Sequence, residues 1–172
     1  MRLGYFSLTL DRMDYVVDIH NLLQVNVQNH DILEKRLSTL SVDLVQVFEL
    51  YYKAVLVKIF DLDYNATETD IKDGQIRDTY KRIAIKQLLK SHRLVLLENS
   101  VPNGYKLFRE NRDLLYDVKT VYFDNRYKAN IELKMLDFSE YFNLFMRIKR
   151  NIIALYSEDF KVNRVKKVKS FS

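Results

Sequence analysis

The segment from Val42 to Phe60 limits the fold more than any other part of this chain. Its 19 residues include no Gly and no Pro, and apolar side chains would lie nearly all round a helix built from them. A helix that is apolar on all sides is packed against several neighbours at once. The valines would also suit a strand, but a strand of this length without a turn signal is unusual. We therefore predict a central, buried helix over about residues 42–60, capped by Ser41 or Asp43.

Other helices are predicted where apolar residues recur at helical spacing. One runs from about residue 12 to 38, with a break near Asn29 as an alternative. Another runs from about 75 to 92, and a closing helix from about 138 to 156. Before the first of these, residues 3–10 alternate weakly between polar and apolar side chains, which predicts a short strand.

The region from about 93 to 134 changes to a β pattern. Residues 93–109 predict two strands around Asn103-Gly104, a dipeptide typical of tight hairpin turns. Residues 118–133 alternate on both sides of a second two-residue turn and predict another hairpin. The sequence therefore predicts an α+β fold, with N-terminal helices, a small antiparallel sheet of hairpins and a closing C-terminal helix.

Length and composition predict one globular domain. The 172 residues are 48% hydrophobic, with three Gly and one Pro, and can bury a sizeable core. We predict a single domain over residues 1–160 and a basic tail over 161–172. The absence of Cys excludes disulfides and thiolate chemistry. No signal peptide or membrane-spanning run is visible, so we expect a cytoplasmic or intracellular protein, with the interior of a viral particle as one option and no membrane partner.

The residues that usually carry catalysis or bind metals form no recognisable arrangement. Asp61, Asp63 and Asn65 match the start of a calcium loop, but an EF-hand then needs Gly and Glu where this chain has Ala66 and Lys72. The three His show no metal-binding spacing, and the three Gly stand too far apart for a phosphate loop. We expect no metal, no cofactor and no enzymatic activity.

Charge is divided unevenly between the two halves of the chain. Residues 1–70 carry six bases and eleven acids, whereas residues 71–172 carry 22 bases and 12 acids. Such asymmetry is typical of a chain whose basic part contacts a polyanion. An alternative is that the acidic half neutralises the basic half within one fold. For the first interpretation, the predicted phosphate-binding residues are Lys81, Lys86, Lys90, Lys106, Arg109, Arg126, Lys128, Lys161, Arg164, Lys166, Lys167 and Lys169.

Two short stretches resemble families that act on nucleic acids. Residues 48–56, together with Asn125-Arg126, resemble HEPN domains of bacterial defence and toxin systems, which cut RNA with an Arg and a His a few residues apart. No His follows an Arg at that spacing here. Residues 77–109, a basic helix followed by the predicted hairpin, resemble the end of a winged-helix domain. That resemblance implies a helix in the major groove and a wing on the nucleic-acid backbone.

These observations give three functional hypotheses. The leading one is a non-catalytic binding module whose basic second half contacts a polyanion, with nucleic acid ahead of an acidic protein surface. The second is a structural subunit of a larger assembly, for example a phage or viral particle, in which the tail is a docking arm. An HEPN-like ribonuclease, toxin or defence protein ranks third.

Overall fold

The computed structural model of the chain describes residues 4–25, 30–60, 87–118 and 138–169, and within these ranges the fold is helical. The main helices are α1 (Tyr5–Val25), α2 (His30–Ile59), α3 (Leu94–Ser100) and α4 (Phe138–Lys169). Shorter helical stretches cover residues 87–90 and 112–118, and a 3-10 turn covers Asn103–Tyr105. None of the described helices combines the length and the apolar character needed to cross a membrane.

Helix α2 lies at the centre of the packing, and the predicted central helix is confirmed. Phe48 and Val57 point in opposite directions on α2, as do Val47 and Leu56, yet all four are at most 1% exposed. Helices α1, α3 and α4 all pack against it. Complete burial of one such side chain stabilises the folded state by about 1.5–3 kcal/mol. The buried side chains of α2 therefore supply a large share of the stabilisation by the core.

Helix α2 also begins earlier than predicted and is not interrupted at the predicted caps. Ser41 lies inside the helix, where its Oγ donates a hydrogen bond to the carbonyl of Leu37 at 2.8 Å. Asp43 instead forms an ion pair with Arg12 of α1, with 2.9 Å between Nη1 and Oδ1. The two polar residues therefore bond within α2 and to α1, and neither starts a helix.

Helix α1 starts at Tyr5, so the strand predicted over residues 3–10 is wrong. Phe6, Met13 and Val16 lie on one face of α1 and are buried in the core. Thr9 on that face donates its hydroxyl to the carbonyl of Tyr5 at 2.6 Å, which satisfies a buried polar group within the helix. The alternation in the sequence was too weak to compete with this 3.6-residue periodicity.

The antiparallel sheet predicted at about 93–134 is not found in the described residues, and the α+β class is wrong. Residues 94–100 form α3, because Leu94, Leu97 and Glu98 share one helical face and that face is buried. The winged-helix resemblance implies a wing made by the hairpin at residues 93–109, and these residues do not form a hairpin. The second hairpin falls mostly in residues 119–137, outside the described residues.

The Asn103-Gly104 dipeptide lies in the 3-10 turn and not in a hairpin. The Tyr105 amide donates to the carbonyl of Pro102 at 2.9 Å, as expected for a turn of this kind. Pro102 sets the backbone angle at the start of the turn, and the chain beyond it contacts Tyr51 and Tyr52 of α2 and Glu98 of α3 without forming a strand. A turn dipeptide predicts a local bend, but the flanking residues decide whether strands follow it.

The closing helix is confirmed and is longer than predicted. Helix α4 has 32 residues, which corresponds to a length of about 48 Å. Its buried stripe runs from Phe138 to Tyr156, and the Tyr156 hydroxyl donates to the carbonyl of Ala54 at 2.7 Å. Residues 161–169 of the predicted tail are the last turns of this helix.

His20 of α1 lies where α1 packs against α4. Its ring stacks on Phe138 with 4.9 Å between centroids and meets Phe142 edge-on at 5.0 Å. Burial lowers the pKa of His20 below its ordinary value of 6.5, and a hydrogen bond with Asn21 opposes this shift only in part. The folded state therefore favours the neutral ring.

We predict that Gly104→Ala leaves the fold intact and raises the free energy of unfolding by at most about 1 kcal/mol. No positive φ is found at Gly104, and an added Cβ would meet no atom within 4 Å, so alanine would mainly reduce the entropy of the unfolded chain. Urea unfolding of the two proteins measures the change. A loss of more than about 1 kcal/mol would instead favour the hairpin turn, which needs a left-handed residue.

We also predict that stability rises with pH in the range just below 6.5, and that His20→Phe removes part of this rise. Because the folded pKa lies below the unfolded one, the unfolded chain binds more protons in that window, and protonation favours unfolding as the pH falls. Denaturant unfolding of both proteins between about pH 5 and pH 8 gives the two curves. Parallel curves would contradict the prediction.

Candidate nucleic-acid interface

The predicted phosphate-binding residues fall into three groups. Lys90, Lys106 and Arg109 lie in the described segment 87–118, where Lys90 and Arg109 are exposed and Lys106 is half-buried. The tail bases, which lie on the last turns of α4 and for which the structure describes the backbone alone, are Lys161, Arg164, Lys166, Lys167 and Lys169. Four further predicted residues, Lys81, Lys86, Arg126 and Lys128, lie outside the described residues.

Three bases of α4 are not among the residues predicted for the site. Arg147, Lys149 and Arg150 lie in one turn, and Lys149 and Arg150 are exposed. The guanidinium of Arg147 reaches the carbonyl of Leu107 with 3.5 Å between Nη1 and the oxygen. This contact joins α4 to the segment that carries Lys106 and Arg109. Clustering within one turn was the signal that could have identified these bases.

Helix α4 carries the largest excess of positive charge among the described helices. It contains eight bases and three acids. Its core-facing stripe ends at Tyr156, and the positions that continue this stripe one, two and three turns later hold Asp159, Asn163 and Lys166. Beyond Tyr156 the sequence therefore no longer has an apolar stripe to bury on this side, and the last turns of α4 follow a basic pattern instead.

A buried carboxylate on α2 holds the segment before α3. Glu49 accepts a hydrogen bond from Lys53 at 2.7 Å, one turn along the same helix, and both side chains are less than a tenth exposed. The Nδ1 atom of His92 lies 3.0 Å and 3.1 Å from the two carboxylate oxygens of Glu49. The Lys53 ammonium also lies 5.7 Å from the centre of the Tyr5 ring. The buried charges are thus paired, as burial requires.

A second buried carboxylate holds the segment after α3. Glu98 is fully buried, and it accepts hydrogen bonds from the hydroxyl of Tyr52 and, at 3.3 Å, from the amide of Phe108. The half-exposed guanidinium of Arg112 lies 3.9 Å from the same side chain. Burial raises the pKa of Tyr52 well above its ordinary value, and the neighbouring Glu98 raises it further. Tyr52 therefore acts as a neutral donor to the carboxylate.

Tyr51 fixes the same segment from its other end. Its hydroxyl donates to the carbonyl of Tyr105 at 2.9 Å and accepts from the side-chain amide of Asn151 on α4 at 2.8 Å. Burial raises the pKa of Tyr51 as well, so the hydroxyl keeps its proton for this bond. Tyr51 and Glu98 thus hold the backbone on both sides of Lys106 against the core, and they position Lys106 and Arg109.

No local sequence pattern predicts these contacts, because their partners lie far apart in the chain. Glu49 and His92 are 43 residues apart, and Tyr52 and Glu98 are 46 residues apart. In the part of the chain that the structure describes, no group of three or more acidic or His side chains could hold a metal ion. Asp61, Asp63 and Asn65, which match the start of a calcium loop, lie outside the described ranges.

Comparison with known proteins gives no family for this chain. No family model matches it, and neither a curated protein nor a solved structure matches it. The HEPN and winged-helix resemblances receive no support from these comparisons. A functional proposal therefore depends on the charges and contacts described above.

We predict that Tyr52→Phe lowers the free energy of unfolding by about 1–3 kcal/mol. The change leaves a buried oxygen of Glu98 without its hydroxyl donor. A double-mutant cycle with Glu98→Leu, which removes the acceptor, isolates the pair, and we expect a coupling energy above about 0.5 kcal/mol. The matched control is Tyr116→Phe, because Tyr116 is 66% exposed and its change should have little effect. Additive effects of the two buried substitutions would contradict a direct bond between them.

Proposed function

We propose that this protein is a non-catalytic module that binds nucleic acid through the basic C-terminal half of α4, with Lys90 and Arg109 as additional phosphate contacts. The observation that carries the proposal is the pattern of α4. Its first turns are buried in the core, whereas residues 161–169 bring five bases and no acid onto a continuation of the same helix. A basic segment that extends from a packed helix is suited to contact a polyanion.

The arrangement of charge favours phosphate contacts without base-specific ones. At about 100° per residue, the five bases of residues 161–169 are distributed around the helix and not on one side. A helix about 10–12 Å in diameter fits the major groove of B-DNA, which is about 12 Å wide, and its bases can then reach phosphates on both sides. Such binding depends on the release of counterions and is insensitive to sequence.

One described ion pair joins a base of α4 to an acid of the N-terminal half. Lys149 of α4 pairs with Asp14 of α1 at 3.6 Å, and both side chains are about half exposed or more. An exposed pair of this kind contributes at most about 1 kcal/mol. Bases at the C-terminus of a helix also interact favourably with the helix dipole, but that effect is confined to about the last turn. Lys161 and Arg164 lie further from the end of α4.

We predict that the affinity for duplex and single-stranded nucleic acid falls steeply with salt, and that neutralising the tail reduces the slope. The test variant replaces Lys161, Arg164, Lys166, Lys167 and Lys169 with Gln, which keeps a high helix propensity. Each lost phosphate contact should reduce the slope of log affinity against log salt by about 0.9 for duplex DNA. Fluorescence anisotropy with labelled oligonucleotides across a salt series measures the slope.

The matched control replaces the four tail lysines with Arg, which keeps the charge and should keep the slope. Circular dichroism of both variants verifies that α4 stays helical. Negligible binding of the unmodified protein at low salt would overturn the proposal, and it would favour the second hypothesis, in which the tail is a docking arm onto a protein subunit. Equal slopes for the Gln variant and the unmodified protein would place the contact elsewhere.

A further inference from the structure

The outer face of α1 is both acidic and apolar. It lies opposite the buried face, and its exposed residues are Asp11, Asp14, Tyr15, Asp18, Leu22 and Val25. Leu22 is 57% exposed and Val25 is 82% exposed, which are high values for large apolar side chains. Arg12 lies outside this stripe and pairs with Asp43 of α2. The outer face of α1 therefore combines three negative charges with three exposed apolar side chains.

The outer face of α4 has the opposite charge. Lys149 and Arg150 are exposed there, between Met146 and Ile153. Met146 is 67% exposed and Ile153 is 54% exposed, and the two are seven residues apart, so they lie on the same side of the helix. This face thus combines two positive charges with two exposed apolar side chains.

The two outer faces meet where α1 packs against α4. The ion pair between Lys149 and Asp14, with 3.6 Å between Nζ and Oδ1, joins them at the surface. His20 packs against Phe142 beneath it. We call the combined surface the α1–α4 face, which consists of the ten residues named for the two outer faces. Among the nine most exposed large apolar side chains in the described residues, five belong to it.

We propose that the α1–α4 face binds a second copy of this chain in a two-fold symmetric dimer. In a two-fold interface the same patch of each copy meets its partner, so the acidic stripe of each α1 can face the basic stripe of the other α4. An exclusively acidic or basic partner would match only half of this surface and repel the other half. The apolar side chains would be buried between the copies, and the charges would set their register.

The dimer proposal is independent of the proposed nucleic-acid binding, because it uses residues 146–153 of α4 and not the tail bases. Sedimentation velocity and light scattering on the full chain across the micromolar range test it directly. We expect a mass that rises from one chain towards two as the concentration increases. A mass of one chain at every concentration would overturn the proposal.

A charge exchange between two variants locates the interface. One variant carries Lys149→Glu and Arg150→Glu, so that both of its outer faces are acidic. The other carries Asp11→Lys and Asp18→Lys, so that both are basic. Each alone should have at least a tenfold weaker self-association, because like charges face each other, and an equimolar mixture should form a heterodimer.

The matched control is Asp113→Lys with Asp117→Lys, which makes the same charge change at exposed positions outside the α1–α4 face. This control should dimerise like the unmodified protein, and circular dichroism verifies that all variants are folded. Undiminished self-association of both exchange variants would overturn the placement of the interface. Failure of the mixture to form a heterodimer would overturn the two-fold pairing of α1 with α4.

Discussion

The burial of α2 on all sides is the constraint on which the other elements of this fold depend. A helix surrounded in this way needs neighbours in every direction, and α1, α3 and α4 provide them in the described part of the chain. Aromatic side chains fill much of the contact between α2 and its neighbours. The ring centroid of Phe48 lies within 6.1 Å of the ring centroids of Phe108, Tyr141 and Phe145. These three partner rings come from two segments, residues 87–118 and α4, so one residue of α2 holds together regions that are distant in sequence.

The buried polar groups of α2 also hold segments that are distant in sequence. Glu49, Tyr51 and Tyr52 cannot remain without partners in the core, and the partners they find are side chains and backbone groups of the segments around α3. These segments have little regular structure of their own. Their position, and with it the position of Lys106 and Arg109, is therefore fixed by hydrogen bonds to the central helix.

Sequence patterns predicted the elements whose buried positions recur at regular spacing within the element itself. The all-round apolar pattern located the central part of α2, and the stripe from Phe138 to Tyr156 located the first turns of α4. Prediction failed where short apolar runs suit a helix and a strand equally well. Leu94 to Leu97 is such a run, and burial of Leu94, Leu97 and Glu98 on α2 decided for a helix. The contact of Tyr52 with Glu98 left no local trace in the sequence, because it exists only once the helices have packed.

A helix that is apolar on every side has a weakness that its buried charges correct. Its pattern alone hardly distinguishes one rotation about the helix axis from another, since each rotation buries a similar amount of apolar surface. Glu49 and Lys53 remove this ambiguity, because their 2.7 Å pair finds His92 and the ring of Tyr5 in one orientation only among the described contacts. In a rotated packing the pair would stay intact, since both residues lie on α2, but it would lose its contacts with His92 and the ring of Tyr5. The two buried charged residues of α2 thus favour one native arrangement among several that hydrophobic burial alone would allow.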